Sequence, residues 1–542
     1  MNTITGQKLR QMLVAGANKL EERKQMVNDM NVFPVPDGDT GTNMSLTITS
    51  AVKEVLAVTS TEAEDIAKAL SSGALRGARG NSGVILSQIF RGLYKGMKGE
   101  GEVNAAVFAA AMKKGTDTAY KAVMKPKEGT ILTVAKAASD AALDAALGIE
   151  DVAELMEVIV ASARATLEKT PEMLPVLKEA GVVDSGGQGL LLIYEGFLEA
   201  LQREDDEVDP VLALNEGAAP IQKKEETSYL MEMTLKTNKD PQLAASEMEN
   251  YLNAYGTKGT VLAEEESVSF QVEVKDVNSV LAQAMKWGKV AFVQAKEAVP
   301  GAGFSLGLEE KAARKAAKNK GPKKAVGFIA VSAGEGLQRI FTDLGADYVI
   351  SGGQTMNPST EDVLQAAREV NAETIFVLPN NKNIILAAEQ AASIMKDSRL
   401  IVIPTRSIPQ GISAMIAYVP DLSNDDNAAN MKESMEMVVS GSVTYAVRDT
   451  HMGEFEIKEG NILALKDGAM DRVGTDLMET TIRLVEDMVT EETAVVTLYY
   501  GEGVTEEQAG ELQQLLQDKL PEVEVEMQCG QQPVYYFLLS AE

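Results

Sequence analysis

The spacing of apolar residues changes character along the chain, and that change limits what the chain can fold into. Through roughly the first 200 residues, apolar side chains recur at i, i+3 and i+4, the period of amphipathic helices; Ala63–Leu75, Asn104–Lys125 and Asp151–Lys169 are examples. The stretch from Gln202 to Thr227 is polar and reads as a linker. YLMEMTLKT and SVSFQVEVK then alternate like strands, and Val277–Lys286 returns to helical spacing, which predicts a small α+β domain over 226–300. A second linker, rich in cations, runs from Pro300 to Lys324. From Ala325 onward, apolar runs such as AVGFIAVSA, DYVISGG, TIFVLPN and LIVIPT alternate with helical segments Gly336–Leu344, Thr360–Val370 and Ile384–Met395. That rhythm predicts α/β architecture with a parallel sheet. The tail holds TAVVTLYYG, a helix near Glu506–Leu520, EVEVEMQ and VYYFLLS, a further α/β unit. The expected organisation is multidomain: an all-α part over 1–205, the α+β domain over 226–300 and the α/β part over 325–542.

Charge and rare residues narrow the chemistry. The formal charge is −29, which repels nucleic-acid phosphates and argues against a DNA or RNA partner. It repels free nucleotide as well, so a nucleotide site must rely on a cation, helix N-termini and backbone amides. No apolar run reaches the ~18 residues of a membrane span, and the N-terminal stretch lacks the pattern of a signal peptide. One cysteine, Cys529, rules out an internal disulfide and a multi-cysteine zinc site. Together these features lead to an expectation of a cytoplasmic protein. His451 is the single histidine, so no histidine-dependent triad fits the N-terminal half.

Four polar segments interrupt the helical half. In NVFPVPDGDTGTNM, Asp37 and Asp39 flank Gly38, where a tight turn brings two carboxylates to one side, and Thr40 or Thr42 is placed to cap a helix through Asn43. Hard oxygen donors beside a helix start suit magnesium. In GARGNSGVILSQ, Gly80, Asn81, Ser82 and Gly83 precede an apolar helix, which suits a phosphate-binding loop lacking the Lys of a Walker motif, or equally a glycine-rich loop that packs helices. In KPKEGTILTVA, Thr130 is a phosphate contact and Leu132 a base-pocket residue, or both simply begin a buried helix. In GVVDSGG, Asp184, Gly186 and Gly187 suit a ribose or adenine edge, or an ordinary helix start.

At these segments the first 200 residues resemble the DhaL-type domain of dihydroxyacetone kinases. The wording of the four motifs, with GGQTMNPSTEDVL and VIPTRSIPQGISA further along, is more similar still to the ATP-binding A subunits of bacterial fatty acid kinases. The resemblance spans nearly the whole chain. It implies an N-terminal helical barrel with nucleotide and magnesium at its mouth and a DegV-like C-terminal region. Magnesium falls to Asp37 and Asp39. Thr40, Asn43 and the Gly80–Gly83 loop face the phosphates, and Thr130, Leu132 and Asp184–Gly187 surround the nucleoside. The dihydroxyacetone kinases carry another Asp five residues before the pair. Val32 stands there here, and Asn31 is the nearest polar substitute for a third ligand. Relatives also carry a Cys and a His-x-His pair in the middle domain; the matching positions here are Leu230, Gln271 and Glu273, so no zinc is expected.

The implied reaction is ATP-dependent phosphorylation of a fatty acid carboxylate, giving an acyl phosphate for phospholipid synthesis. A carboxylate is already ionised at neutral pH and needs no general base, which suits a domain without histidine. The implied partner is a DegV-like fatty-acid-binding protein that docks on the α/β region, with Arg406 and Arg448 as partner contacts or structural caps, and the Lys311–Lys324 cluster as a transient membrane contact or a solvated linker face. Homodimerisation stays open, as do two other functions: a dihydroxyacetone-type kinase and a nucleotide-holding regulatory scaffold.

Overall fold

A computed structural model describes the chain apart from residues 33–37, 206, 216–228, 238–240, 242–243, 246–247, 249–258, 264–266, 275–276, 287, 298–322, 354–356, 448 and 453–454. It comprises two compact units. One joins Met1–Pro210 to Lys323–Glu542, and the other is Val211–Pro322.

The helical part of the first unit begins with a two-residue strand β1 (Thr3–Ile4), paired antiparallel with β2 (Val103–Asn104). The long helices are α1 (Gly6–Asp29), α2 (Thr40–Ala57), α3 (Ala63–Gly77), α4 (Gly80–Met97), α5 (Ala105–Ala122), α6 (Ile131–Ala145) and α7 (Val152–Leu167). Two short turns follow, α8 (Thr170–Met173) and α9 (Pro175–Ala180), and then α10 (Ser185–Gln202). Each long helix packs on the next, α7 packs on α10, and α10 returns to α1, which closes a ring. The apolar stripe of each helix faces inward: Leu9, Leu13, Ile48, Val52, Leu70, Phe90, Phe108, Val134, Ile159 and Ile193 are all buried. Gly16 and Gly196 bring α1 and α10 close; a Cβ on Gly196 would lie 2.6 Å from the Gly16 backbone.

In the α/β region, strands β7 (Lys324–Ser332), β8 (Tyr348–Ser351), β9 (Ala372–Leu378) and β10 (Arg399–Val402) form a parallel sheet in the order β10-β9-β7-β8. Both faces are buried, as the near-continuous apolar runs require. Ile329, Val331, Ile375 and Val377 pack against helices Thr360–Val370 and Lys382–Ile394. Ala330, Phe376 and Leu378 pack against helices Glu335–Asp343, Ile408–Ile416 and Asn424–Met437. A second, six-stranded sheet follows. It comprises β11 (Val439–Tyr445), β14 (Ile462–Lys466), β15 (Ala469–Gly474), β16 (Val495–Tyr500), β17 (Glu524–Cys529) and β18 (Phe537–Ala541), in the order β15-β14-β11-β18-β16-β17, while β12 (Thr450–Met452) and β13 (Phe455–Ile457) pair separately. Helices Leu477–Met488 and Glu506–Lys519 share its core.

The second unit holds β3 (Tyr229–Thr237), β4 (Gly259–Ala263), β5 (Ser267–Val274) and β6 (Gly288–Glu297), an antiparallel sheet ordered β4-β5-β3-β6. Helix Val277–Ala284 lends Val280 and Ala284 to a core with Met231, Met233, Phe270 and Val272. Leu230 is the register partner of Glu273, and Gln271 lies two residues further along the same strand. The three positions are thus neighbours on the sheet, and one of them is a leucine. Among the described residues no helix is long and apolar enough to cross a membrane.

Candidate nucleotide and metal site

The starts of α2, α4, α6 and α10 gather at one rim of the helical ring, and specific polar groups hold them there. Asn31, which follows α1, is buried, and its Oδ1 accepts from Thr40 Oγ1 at the start of α2 (2.5 Å) and from Ser185 Oγ at the start of α10 (3.3 Å). Asp184 caps α10: its Oδ2 accepts from Gly187 N (2.7 Å), and its carboxylate also takes the Ile131 amide at the start of α6. Gly80 opens α4 with φ +58, and a Cβ there would lie 2.4 Å from Asn43 Nδ2 of α2. Only glycine satisfies both the left-handed backbone and the contact. Gly83 sits equally tightly on Thr47, its added Cβ 2.3 Å from the hydroxyl.

Four helix N-termini at one rim sum their unpaired amides and the positive ends of their dipoles, an environment that attracts phosphate. Burial acts on the acid within it. The Asp184 carboxyl is pushed up to about 6 by desolvation, against the opposing pull of the Gly187 and Ile131 amides.

Helix α2 begins one residue earlier than a Thr40 cap would place it. Asp39 is its N-cap, in an αR conformation (φ −115, ψ −3), and makes no side-chain cap bond. The amide a cap would serve is taken from outside the helix: Thr42 N donates to Asn28 Oδ1 (3.1 Å), while Asn28 Nδ2 donates back to Thr42 Oγ1 (3.0 Å). The Asp39 side chain thus makes no cap bond, and its Oδ2 accepts from Asn357 of the α/β region. Asp37 lies outside the described residues. The donors gathered at the rim are the Asp39 carboxylate, amide oxygens and hydroxyls. All are hard oxygens, a set that fits magnesium.

Thr130 caps α6, and its Oγ1 donates to the Lys127 carbonyl (2.8 Å). Leu132 is buried in the ring, and Gly186 packs on Ile131 and Gly187 on Val134. Ser82 is half-buried in the first turn of α4. Asn81 turns away from the rim, with Nδ2 donating to Asn383 Oδ1 (3.2 Å) of the α/β region.

That last contact belongs to a seam which the motifs do not announce. Helices Thr360–Val370 and Lys382–Ile394 lie between the parallel sheet and the ring, against α3 and α4. Thr360 N donates to the Ala78 carbonyl (3.1 Å), and Arg79 pairs with Ser359 in an isolated antiparallel bridge. Gln390 donates to the Leu75 carbonyl (2.6 Å) and accepts from Gln88 (2.7 Å), beside a small apolar cluster of Ala78, Val84 and Ala387. Asn357, just before this seam, donates from Nδ2 to Asp39 Oδ2 (2.5 Å), while its carbonyl accepts from Arg79 Nη1 (2.7 Å). A cavity of about 280 Å³ lined by Arg79, Pro358 and Asp362 opens beside it. Of the proposed partner contacts, Arg406 is exposed, with its backbone amide bonded to Gln410, whereas Arg448 and most of the Lys311–Lys324 cluster lie outside the described residues.

The ring and rim are those of a kinase-type domain: residues 34–199 match the family model of the DAK2 domain. Residues 327–542 match the FakA-like C-terminal model, which describes the corresponding region of fatty acid kinase A subunits and proteins like them. Protein YloV of Bacillus subtilis (strain 168) is 41% identical, with all of both chains covered. An uncharacterized protein of Staphylococcus aureus (strain USA300) is 39% identical over the full length of both. The chain belongs to the family of fatty acid kinase A subunits. Among solved structures, the DegV family protein Cg2579 from Corynebacterium glutamicum superposes loosely (TM-score 0.33, 14% identity, 40% of this chain and 97% of that one). The Streptococcus pneumoniae fatty acid kinase B3 protein loaded with linoleic acid does so more loosely still (TM-score 0.28, 10% identity, 40% and 99%).

Proposed function

We propose that this chain binds ATP with magnesium at the helix-start rim and transfers the γ-phosphoryl group to the carboxylate of a fatty acid presented by a separate DegV-like fatty-acid-binding protein. The observation that carries the reading is the convergence of four helix N-termini around hard oxygen donors, the Asp39 carboxylate among them. Membership of the fatty acid kinase family supports the acceptor.

In the reaction a carboxylate oxygen attacks the γ-phosphorus, an O–P bond forms, and the bond from phosphorus to the β–γ bridging oxygen breaks, giving acyl phosphate and ADP. The acceptor arrives ionised, so no proton has to be removed, and the demand on the protein is alignment and charge neutralisation. Magnesium, when bound, neutralises phosphate charge. Asp37 and Asp39 would hold it. The amides at the starts of α2 and α4 orient the phosphates, and the Thr130 and Asp184 turns flank the nucleoside.

The test is transfer of label from γ-labelled ATP to fatty acid in the presence of magnesium and a lipid carrier. Asp39→Asn keeps the size and removes the charge, and is expected to lower the rate by about a hundredfold or more with the circular dichroism spectrum unchanged. Label that goes to a triose without any carrier, or a folded variant that turns over at the wild-type rate, would overturn the proposal.

A further inference from the structure

We propose that Asn357, from the α/β region, supplies an oxygen toward the divalent cation of the rim, so that the cation site is composite and incomplete without the C-terminal half; this rests on the nucleotide–magnesium reading above. Asn357 is 2% exposed. Its Nδ2 donates to Asp39 Oδ2 at 2.5 Å. A carboxylate only accepts, so this contact fixes which end of the amide faces it. The other end, Oδ1, is buried and has no hydrogen-bond partner among the described residues. Bond lengths within the amide keep that oxygen no more than about 5 Å from the carboxylate oxygen.

A buried carbonyl oxygen without a partner is costly and calls for an explanation. Slack in the segment does not provide one. The Asn357 backbone carbonyl is held by Arg79, and Pro358 restricts the conformation of Asn357 itself. Ser359 then pairs with Arg79, and the Thr360 amide is fixed on Ala78. The side chain is aimed at Asp39 by constraints on the chain that follows it. Among groups able to satisfy Oδ1, a hard cation or a water bound to one also suits the neighbouring carboxylate. Asn31, the polar residue nearest the aspartate pair in sequence, is a poorer candidate. Its Oδ1 already accepts from both Thr40 and Ser185, the full complement of a carbonyl oxygen. A neutral amide ligand also avoids adding negative charge beside a triphosphate.

The experiment measures Mn²⁺ binding to the full-length chain with ADP, by the loss of the free-ion electron paramagnetic resonance signal. Asn357→Leu removes the oxygen at similar volume and is expected to raise the Mn²⁺ Kd by about ten- to a hundredfold. Asn357→Asp restores an oxygen ligand and is expected to stay within about threefold of wild type. If Asn357 were only a latch donating to Asp39, Asn357→Asp would set two carboxylates against each other and weaken Mn²⁺ binding at least as much as the leucine. That result overturns the proposal, as does a Leu variant with wild-type affinity. Asn383→Ala loosens the same seam away from the carboxylate, and an equal loss of Mn²⁺ binding there would also overturn it. Asp39→Asn separates the two levels. Loss of Mn²⁺ binding in Asp39→Asn but not in Asn357→Leu removes this inference alone, whereas unchanged binding in Asp39→Asn removes the magnesium reading of the rim itself.

Discussion

The rim of the ring and the seam beside it are built from opposite materials. The rim concentrates charge: helix dipoles, the Asp39 carboxylate and a buried Asp184 whose acidity is weakened by its surroundings. The seam is tied mainly by uncharged amides, Asn81 to Asn383 and Gln390 to Gln88 and to the Leu75 carbonyl, around small alanines and a valine. Its ion pair, Arg79–Asp362 at 3.4 Å, lies at a half-exposed margin where such pairs contribute little. Neutral amides hold by geometry and keep their strength as pH and salt change, whereas a rim of dipoles and carboxylates responds to both. The rim is thus tunable, and the seam that joins the two halves is insensitive.

The sharpest way to break this contrast is at Asp184. Its folded pKa, about 6, lies above the ordinary value of 3.8. Between these values the folded chain keeps a proton that the unfolded chain has released. The stability associated with that proton is therefore fully present below pH 4 and lost as pH rises through 6. Asn does not titrate and caps a helix about as well as Asp. The difference in unfolding free energy between wild type and Asp184→Asn should fall by up to about 3 kcal/mol from pH 4 to pH 7 in urea titrations. A difference that stays flat would mean the rim is no more responsive than the seam.

Gln390→Ala probes the other side. It strands the buried Gln88 amide and the Leu75 carbonyl, so a loss of about 2 kcal/mol is expected, equal at pH 5 and pH 7. A strong pH dependence would show that the seam borrows its strength from the rim. Asn81→Ala removes one partly buried bond and should cost no more than about 1 kcal/mol in the same measurement. A loss equal to that of Gln390→Ala would relocate the main tie to the start of α4.

Much of the rim was legible because its signals are local. Helical spacing put α3, α5 and α7 within a few residues of their observed limits, and helix Thr360–Val370 was bounded to the residue. The glycines of GARGNSG mark a helix start because only glycine fits φ +58 against Asn43. The capping of α2 was less legible, since the group that serves Thr42 is Asn28 on another helix. The seam left no pattern at all. Asn357, Asn383 and Gln390 are single polar residues whose partners lie about three hundred positions away, and neither periodicity nor composition encodes such pairings. The six-stranded sheet was only partly visible. β11, β14 and β15 are short and mixed in polarity, and β15 is nowhere fully buried.

The Asn357–Asp39 contact joins residues 318 positions apart, with all of the Val211–Pro322 unit between them in the chain. On a ribosome adding about 5–20 residues per second, about 15–60 s therefore pass between the synthesis of Asp39 and that of Asn357. During that interval the faces of α3 and α4 that meet Leu386, Ala387 and Gln390 have no mate. The uncharged, small-residue character of the seam suits such a delay. It leaves a nascent surface of alanine and amide rather than a broad greasy one, and so gives other nascent chains little to adhere to before the second half arrives.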